Sequence, residues 1–446
     1  MFDVRFLVKK FWVKIPHLPL TKTLPQALKK LCVLFLFLQC CFIPVNFAAT
    51  ILNYIVQPLN FNDTQIAFQY RSDKDLKQAR LLFATMAYPS VSALGMSLTQ
   101  WAIRWKLPVK GIIKNTIFKQ FCGGETLQEA RHTADVLGKF GVQAILDYGV
   151  EGKESEAAFE HAVPEFIKAI DAAAASPYTP FISLKVTGFA RFGLLEKINS
   201  GQPLSDAETK EWQRVHDRIL AICQHAADKN IMVLIDAEET WIVEGINQLA
   251  DAMMARFNKE RVIVFNTFQL YTWGALPFLK EAVAAAAQKG YLYGAKLVRG
   301  AYMEKERKRA QEKNYRDPIQ PNKAATDRDY DAAVDFCLHQ LNQLWIFIGT
   351  HNEESCRKAA ALMGQLGIAP DDERVWFSQL YGMSDNISFN LANAGYHVAK
   401  YLPYGPVKDV IPYLMRRAAE TTSVAGQTSR ELTLINTELE RRKSDS

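Results

Sequence analysis

The amino-acid sequence predicts an α/β fold, a (βα)8 barrel of the TIM type that is preceded by N-terminal helices. From residue 141 onward, short segments rich in β-branched and aromatic residues alternate with segments rich in Ala, Glu, Lys and Gln. This alternation favours a parallel sheet, and eight strand–helix units over about 300 residues favour a closed barrel. A doubly wound open sheet is the alternative, but no GxGxxG motif follows the first predicted strand to support it.

The same pattern divides the chain into regions. Residues 59–140 form a helical N-terminal region, in which Ser72 is a good N-cap for a helix over residues 72–87. Residues 141–440 form the barrel and carry the catalytic site. The eight predicted strands occupy residues 141–148, 179–188, 230–237, 260–267, 291–298, 344–350, 373–379 and 397–403.

Residues 1–58 form a basic and apolar segment that four interpretations fit. Its apolar run, residues 31–49, is interrupted by Gln39 and Pro44 and is short for a membrane span, which needs about 20 residues. A signal peptide would have an unusually long basic region and a poor cleavage site here, and a mitochondrial transit peptide would be richer in Ser and Arg. In the fourth interpretation, the working protein starts further along the chain.

Charge and cysteine content limit the class of protein. The net charge is +6, but residues 1–58 hold seven of the 53 basic residues and one of the 47 acidic residues. The rest of the chain therefore has no net charge and shows no nucleic-acid footprint. Four of the seven cysteines lie singly in the body without metal-ligand spacing, and we expect buried free thiols in a reducing compartment. They are Cys122, Cys223, Cys337 and Cys356.

Polar side chains stand where the predicted strands end. Catalytic residues of a (βα)8 barrel come from the C-terminal ends of its strands. A polar residue at one strand end is ordinary, but the same pattern at all eight strands predicts a site at that end of the barrel. The residues are Asp147, Lys185, Asp236, Asn266 with Gln269, Lys296 with Arg299, Thr350 with His351 and Asn352, Gln379, and Tyr401.

A series of segments, in order along the chain, resembles the motifs of the proline dehydrogenase family, FAD-dependent enzymes of proline catabolism. They are LKVTGFAR, IDAEETW, VFNTFQLY, AKLVRGAYMEKER, IGTHN, VWFSQLYGMSD and YLPYGPVKDVIPYLMRRAAE, and the resemblance covers about residues 61–437. In style the motifs are closer to the monofunctional, eukaryotic-like members than to the bifunctional bacterial fusions. We also expect no room for a fused aldehyde dehydrogenase or a DNA-binding domain. The resemblance implies a distorted (βα)8 barrel that oxidises L-proline to 1-pyrroline-5-carboxylate by hydride transfer to FAD, with electrons passed to a quinone.

The segment around the arginine doublet predicts an anion site. On a helix, Tyr413, Arg416, Arg417 and Glu420 fall within roughly 80° of one face, which sets two guanidiniums side by side in a fork matched to a carboxylate. From the residues alone, an Arg–Glu pair on a helix surface is the alternative. The resemblance implies that both arginines bind the carboxylate of proline, that Tyr413 and Tyr401 line the pocket, and that Glu420 belongs to the FAD site.

Three more residues belong to the predicted catalytic set. Strand periodicity aims Lys185 to the same side as Ser183, and Asp236 ends a nearly apolar strand, where burial is costly without a partner. The resemblance implies that Lys185 pairs with the substrate carboxylate and with Asp236; which of the two could act as a base stays open. It also implies that Glu151 pairs with Arg416 in a lid contact completed by substrate.

The other strand ends would hold the flavin. Gly300 permits close backbone approach, and Lys296 or Arg299 can stabilise negative charge on the reduced flavin or its pyrophosphate. The family often has arginine in place of Lys296, and some members have glutamine in place of Asn266. The FAD contacts that the resemblance implies are Asn266, Gln269, Lys296, Val298, Arg299, Gly300, Ala301, Tyr302, Thr350, His351, Asn352, Gln379, Leu380 and Glu420.

The resemblance also implies partners and a location. Ubiquinone or menaquinone would accept the electrons at a peripheral membrane contact, and the product would pass to a separate pyrroline-5-carboxylate dehydrogenase. The protein would lie in the cytoplasm at the inner face of the energy-transducing membrane, or on the matrix side in a mitochondrion. Preference for hydroxyproline is the alternative within the family.

Two other functional classes compete with this interpretation. A metal-dependent hydrolase or aldolase would need a His/Asp/Glu cluster at the strand ends, but of the eight histidines only His351 stands there. The second competitor is a membrane-tethered binding protein built around residues 31–49. A yellow protein that L-proline bleaches would exclude both.

Overall fold

Eight parallel strands close into a barrel in the computed structural model of the chain, which describes residues 59–87, 110–149, 154–423 and 427–445. For residues 110, 418–423 and 427 it describes the backbone alone. Neighbours in the barrel are neighbours in sequence, and the last strand pairs with the first. The strands are β1 Val142–Tyr148, β2 Phe181–Lys185, β3 Met232–Asp236, β4 Val264–Gln269, β5 Tyr293–Val298, β6 Leu344–Gly349, β7 Val375–Leu380 and β8 Val398–Tyr404.

The barrel prediction is confirmed, and the open-sheet alternative is wrong. β1 and β8 pair over their whole length, from Val142 opposite Val398 to Tyr148 opposite Tyr404, so this described sheet has no free edge there. The largest difference in strand bounds is at β4, which starts at Val264 rather than at residue 260. The side chain of Asn258 explains the shift, because its Oδ1 accepts the backbone N–H groups of Ile263 and Val264 at 2.9 Å and holds the preceding residues in a turn.

Helices surround the barrel and precede it. As predicted, Ser72 caps the second described helix by accepting the N–H of Asp75. A π-helical turn, Lys114–Phe118, joins two short helices before the barrel. The α-helices are α1 Thr64–Phe68, α2 Asp73–Met86, α3 Lys110–Ile113, α4 Lys119–Phe121, α5 Leu127–Gly138, α6 Glu156–Ala174, α7 Phe192–Asn199, α8 Asp206–Asp228, α9 Val243–Phe257, α10 Ala275–Gln288, α11 Met303–Lys313, α12 Lys323–Leu338, α13 Glu353–Gln365, α14 Asp385–Asn393, α15 Val407–Ser423 and α16 Gln427–Ser444.

The inside of the barrel is apolar at one end and polar at the other. Phe181, Phe265 and Phe347 from alternate strands pack together with ring centroids 5.1 to 6.3 Å apart, and all three are fully buried. Because inward side chains recur every second residue, β2 continues from Phe181 to Ser183 and Lys185. The aromatic layer therefore fills the barrel beneath a polar C-terminal end.

The N-terminal helices and α16 share a second core outside the barrel. Phe68, Leu76 and Phe83 from α1 and α2 pack in one buried cluster with Leu414 of α15 and Leu434 of α16. The C-terminal helix is thus packed against the first described helices, and the described residues from Phe61 onward belong to one compact unit. This core holds the N-terminal helical region beside α15, which carries the arginine doublet.

Other predictions concern the thiols and the membrane. Cys122, Cys223, Cys337 and Cys356 are buried free thiols, as predicted. In the parts of the chain that the structure describes, no helix combines the length and apolar character that crossing a bilayer requires. The apolar run at residues 31–49 lies outside the described residues.

Candidate active site

A cavity of about 450 Å³ opens at the C-terminal ends of the strands. It lies above the aromatic layer because the strands place polar side chains inward at that level. Eighteen of the predicted site residues line it. They are Lys185, Asp236, Gln269, Lys296, Val298, Arg299, Gly300, Ala301, Tyr302, Thr350, His351, Asn352, Gln379, Leu380, Tyr401, Tyr413, Arg416 and Arg417.

Asp236 is the centre of a buried polar group at one side of this cavity. Its Oδ1 accepts the ammonium of Lys296 at 2.6 Å, and its Oδ2 accepts the hydroxyl of Tyr401. Lys185 approaches the same Oδ2 at 3.5 Å. The four side chains come from β2, β3, β5 and β8, so barrel closure is what brings them together.

The neighbours of Asp236 decide its protonation state. Burial alone raises the pKa of this carboxyl, but the charges of Lys296 and Lys185 and the hydrogen bonds from Lys296 and Tyr401 outweigh burial, so its pKa lies below its usual range. Burial and the nearby carboxylates of Asp147 and Asp236 raise the pKa of Tyr401 well above its usual value. At neutral pH the pair is therefore an ionised carboxylate with a neutral phenol as donor.

The arginine doublet faces the same cavity from α15. Arg416, Arg417 and Tyr413 all line it, and the guanidinium carbon of Arg417 lies 5.2 Å from the centre of the Tyr413 ring. Burial raises the pKa of Tyr302, and the charges of Lys185 and Arg416 act in the opposite direction. Arg416 and Lys185 both act on Tyr302, and all three line the cavity, which thus presents cations from both the barrel and α15.

Arg299 is fixed on the other side of the cavity by a set of specific contacts. Its Nε donates to Asp327 at 2.9 Å, and its terminal nitrogens donate to Thr350 Oγ1 at 2.6 Å and Ser355 Oγ at 3.0 Å. The guanidinium carbon also stacks 4.3 Å from the centre of the Tyr330 ring. A guanidinium held on this many sides presents its charge at a defined place.

His351 is a neutral side chain in this cavity. Burial lowers its pKa to about 3, and the charges of Lys400, Arg417 and Arg299 act in the same direction. Its Nε2 accepts the backbone N–H of Leu380 at 3.4 Å. The remaining ring nitrogen, Nδ1, therefore carries the proton and donates to Ser384 Oγ at 2.9 Å.

Three predicted site residues are not brought to the cavity by the described structure. Asn266 is a correction: its amide nitrogen donates to Asn247 Oδ1 at 2.9 Å, on the outer side of β4. The alternation of the strand explains this, because Thr267 and Gln269 line the cavity and Asn266, one residue before Thr267, lies on the opposite face of the strand. Glu151 lies outside the described residues, and for Glu420 only the backbone is described, within α15.

Several lining residues were missing from the predicted site. Asp147 was recognised only as a strand end; it also accepts the hydroxyl of Ser183 at 3.0 Å. Strand alternation from Gln269 would have found Thr267. No strand-end rule could find Arg430 and Glu431, because they lie near the start of α16, after the barrel is complete.

Comparison with known proteins identifies relatives of this chain. The family model described as Proline dehydrogenase matches residues 130–430. Proline dehydrogenase 1, mitochondrial, of Dictyostelium discoideum is 31% identical over 379 residues, which cover 75% of this chain and 66% of that protein. Hydroxyproline dehydrogenase of Xenopus laevis is 32% identical over 422 residues, which cover 86% of this chain and 90% of that protein.

A solved structure has the same fold. Proline utilization A (PutA) from Bdellovibrio bacteriovorus, inactivated by N-propargylglycine, superposes with a TM-score of 0.63 at 18% identity. The alignment covers 82% of this chain and 37% of the PutA chain, so this chain spans about a third of that protein. At this identity the likeness supports the barrel fold.

Proposed function

Because the chain belongs to the proline dehydrogenase family, we propose that it oxidises L-proline to 1-pyrroline-5-carboxylate with FAD as the electron acceptor. The observation that carries the proposal is the convergence of Arg416, Arg417 and Lys185 on the cavity that also holds the Asp236–Lys296 ion pair. A small amino acid needs such a site, with cations for its carboxylate and a closed polar wall around its ring.

The residues of the cavity divide the work of binding and orientation. Arg416 and Arg417, with Lys185, bind the substrate carboxylate by charge-assisted hydrogen bonds. Tyr401 and Tyr413, which are only 7% and 6% exposed, line the space for the ring and exclude water. Asp236 has a lowered pKa and is a poor base, so the amine enters in its neutral form from solution. Asp236 instead holds Lys296, Lys185 and Tyr401 in place.

The chemistry of the lining residues fits FAD. Among the described residues that line the cavity, seven are lysine or arginine and four are aspartate or glutamate, an excess of three positive charges. That excess suits the diphosphate of FAD and one substrate carboxylate. Lys296, Arg299 and the segment Thr350–Asn352 would hold the cofactor, and Gly300 would admit its close approach. When bound, FAD supplies the acceptor for the hydride that leaves C5 of proline.

The fate of electrons and product follows from the same proposal. A membrane quinone, ubiquinone or menaquinone, takes the electrons during peripheral contact with the membrane. The product passes to a separate pyrroline-5-carboxylate dehydrogenase. Relatives such as the Dictyostelium discoideum protein are named mitochondrial. That name supports our proposal that this protein acts at the inner face of an energy-transducing membrane, on the cytoplasmic side, or the matrix side in a mitochondrion.

A preference for hydroxyproline is the second candidate, and it has support in the similarity to a hydroxyproline dehydrogenase along 86% of the chain. The two substrates differ by one hydroxyl on the ring, which the buried ring of Tyr401 would face. We propose proline as the better substrate, because the Tyr401 hydroxyl already donates to Asp236 and offers no open space at that point.

A comparison of the two substrates tests the proposal. The purified protein is reconstituted with FAD, and kcat/KM is measured for L-proline and for trans-4-hydroxy-L-proline with a soluble quinone as acceptor. We expect turnover of L-proline with at least a tenfold higher kcat/KM. A higher kcat/KM for trans-4-hydroxy-L-proline would identify hydroxyproline as the preferred substrate. No turnover of either substrate would contradict the proposal.

A further inference from the structure

The turn between β7 and α14 has an unusual backbone that side chains from elsewhere in the fold hold in place. Ser384 has φ 51° and ψ 44°, in the left-handed region that residues with a side chain rarely adopt. Gln120 Nε2 donates to the carbonyl of Gly382 at 2.6 Å, and Lys400 donates to the carbonyl of Met383. A strained conformation of this kind persists only where its surroundings determine it.

Glu431 of α16 supplies one of these restraints. Its Oε1 accepts the backbone N–H of Ser384 at 2.5 Å, and the side chain is 4% exposed and lines the cavity. The charged groups that face it are Asp385 of α14, Lys400 of β8 and Arg71 after α1. Lys400 and Arg71 pair with Asp385 at 2.9 and 3.1 Å. Burial raises the pKa of Glu431 to about 7, and the charge of Asp385 acts in the same direction. The N–H of Ser384 and the charges of Lys400 and Arg71 act against burial and favour the carboxylate.

The side chain of Ser384 connects this restraint to the cofactor side of the cavity. Ser384 Oγ accepts the Nδ1 proton of His351 at 2.9 Å, while Leu380 N–H donates to His351 Nε2 at 3.4 Å. His351, Leu380 and Ser384 all line the cavity. The Leu380 N–H and the Ser384 hydroxyl, one at each ring nitrogen, therefore together set the orientation and the tautomer of His351.

We propose that Glu431 is a positioning residue of the flavin site. It holds Ser384 in its left-handed conformation, and Ser384 in turn fixes the neutral, Nδ1-protonated His351 against the cofactor. The C-terminal helix α16 then contributes a residue to the flavin site, in addition to packing against the N-terminal helices. The identity of the cofactor rests on the proposed function, but the hydrogen bonds that join Glu431 to Ser384 and Ser384 to His351 do not.

The Kd of FAD for the apoprotein tests the proposal without any measurement of catalysis. The quenching of flavin fluorescence on binding reports the Kd. Glu431→Ala is expected to raise the Kd for FAD at least tenfold, and Glu431→Gln, which keeps an acceptor oxygen, at least threefold but less than Glu431→Ala. Glu440→Gln is the matched control, because Glu440 is exposed on the same helix, and it should change Kd less than twofold. A Glu431→Ala protein that bound FAD within twofold of wild type would overturn the proposal.

A change at Ser384 separates positioning from general stability. Glycine adopts positive φ without a penalty and lacks the hydroxyl that contacts His351, so Ser384→Gly removes both steps through which Glu431 would act. In the Ser384→Gly background, Glu431→Ala should weaken FAD binding by less than threefold. Equal losses from Glu431→Ala in both backgrounds would show that Glu431 acts by another route and would overturn the proposal.

The tautomer of His351 gives a readout that is independent of flavin. In apoprotein labelled with 15N at its histidines, the His351 signal, assigned by its loss in His351→Asn, should show the Nδ1-protonated form. Glu431→Ala should convert it to a mixture of tautomers; if that variant does not fold, Glu431→Gln takes its place in both measurements. An unchanged tautomer would overturn the inference. Wild-type protein that bound no FAD would contradict the proposed function, and the tautomer would still decide this inference.

Discussion

Asp236 on β3 accepts the ammonium of Lys296 on β5 at 2.6 Å across the inside of the barrel, although β4 lies between the two strands. Asp236 and Lys296 are only 9% and 6% exposed as whole residues. Each ion is tolerated there because the other is present, and the lowered pKa of Asp236 expresses this dependence. The Asp236–Lys296 ion pair therefore affects both the stability of the folded barrel and the charge of the cavity that it lines.

Removing the charge of Asp236 should cost both stability and activity. Asp236→Asn leaves Lys296 buried without its counter-charge, and we expect the free energy of unfolding to fall by about 3 kcal/mol. Because the folded-state pKa of Asp236 is lowered, its contribution is present above about pH 4, the pKa of an unfolded aspartate, and is lost as the pH falls further. Urea unfolding at pH 7 measures the loss. The exposed Asp371→Asn is the control, and equal losses in the two variants would contradict this account.

Each arginine of the doublet should contribute to substrate affinity. Arg416→Met or Arg417→Met removes a charge-assisted hydrogen bond to the carboxylate, worth about 1.5–3 kcal/mol, so kcat/KM for L-proline should fall about 10- to 100-fold. The fall should come mainly through KM. Steady-state kinetics with the exposed Arg328→Met as control make the comparison. An unchanged KM in both doublet variants would show that the carboxylate of L-proline does not bind to these two arginines.

Glu238 should make the protein less stable as the pH rises. Burial raises the pKa of this carboxyl to about 7, although its hydrogen bonds from Thr187 and the charge of Lys185 act against burial. Between about pH 4.3 and pH 7 the folded protein keeps a proton that the unfolded chain has lost, so the free energy of unfolding falls over this interval.

Glu238→Gln should remove this dependence on pH. Relative to wild type, we expect the variant to gain about 2 kcal/mol in the free energy of unfolding between pH 5 and pH 8. Urea unfolding at the two pH values measures the gain, and the exposed Glu281→Gln controls for loss of a glutamate elsewhere. A difference that did not change with pH would place the pKa of Glu238 in the ordinary range.

Gly300 should not tolerate a side chain. Its φ is 133°, and a Cβ there would lie 2.5 Å from the ring of Tyr271. Gly300→Ala should therefore lower the free energy of unfolding by about 1–3 kcal/mol and weaken FAD binding. Gly364→Ala, in an open position on α13, should not destabilise the protein. Equal thermal unfolding of the two variants would contradict the close approach at Gly300.

Much of the barrel and its site can be predicted from sequence because both depend on short-range periodicity. Each strand is a local run, and its polar end marks the cavity, as for Lys185 and Gln269. Asn266 was misplaced because being near a strand end does not fix the face: one residue of alternation turns its side chain to Asn247. Arg430 and Glu431 could not be found, because their place depends on the packing of α16 against α1, α2 and α15.

The most direct test of the central claim is the reduction of bound flavin by substrate in the absence of oxygen and quinone. The reconstituted protein is titrated anaerobically with L-proline, and flavin absorbance is followed. We predict complete bleaching by L-proline, no bleaching by D-proline, and loss of bleaching at the same concentrations in an Arg416→Met, Arg417→Met double variant that still binds FAD. A protein that binds FAD and keeps its full absorbance in saturating L-proline would contradict the account.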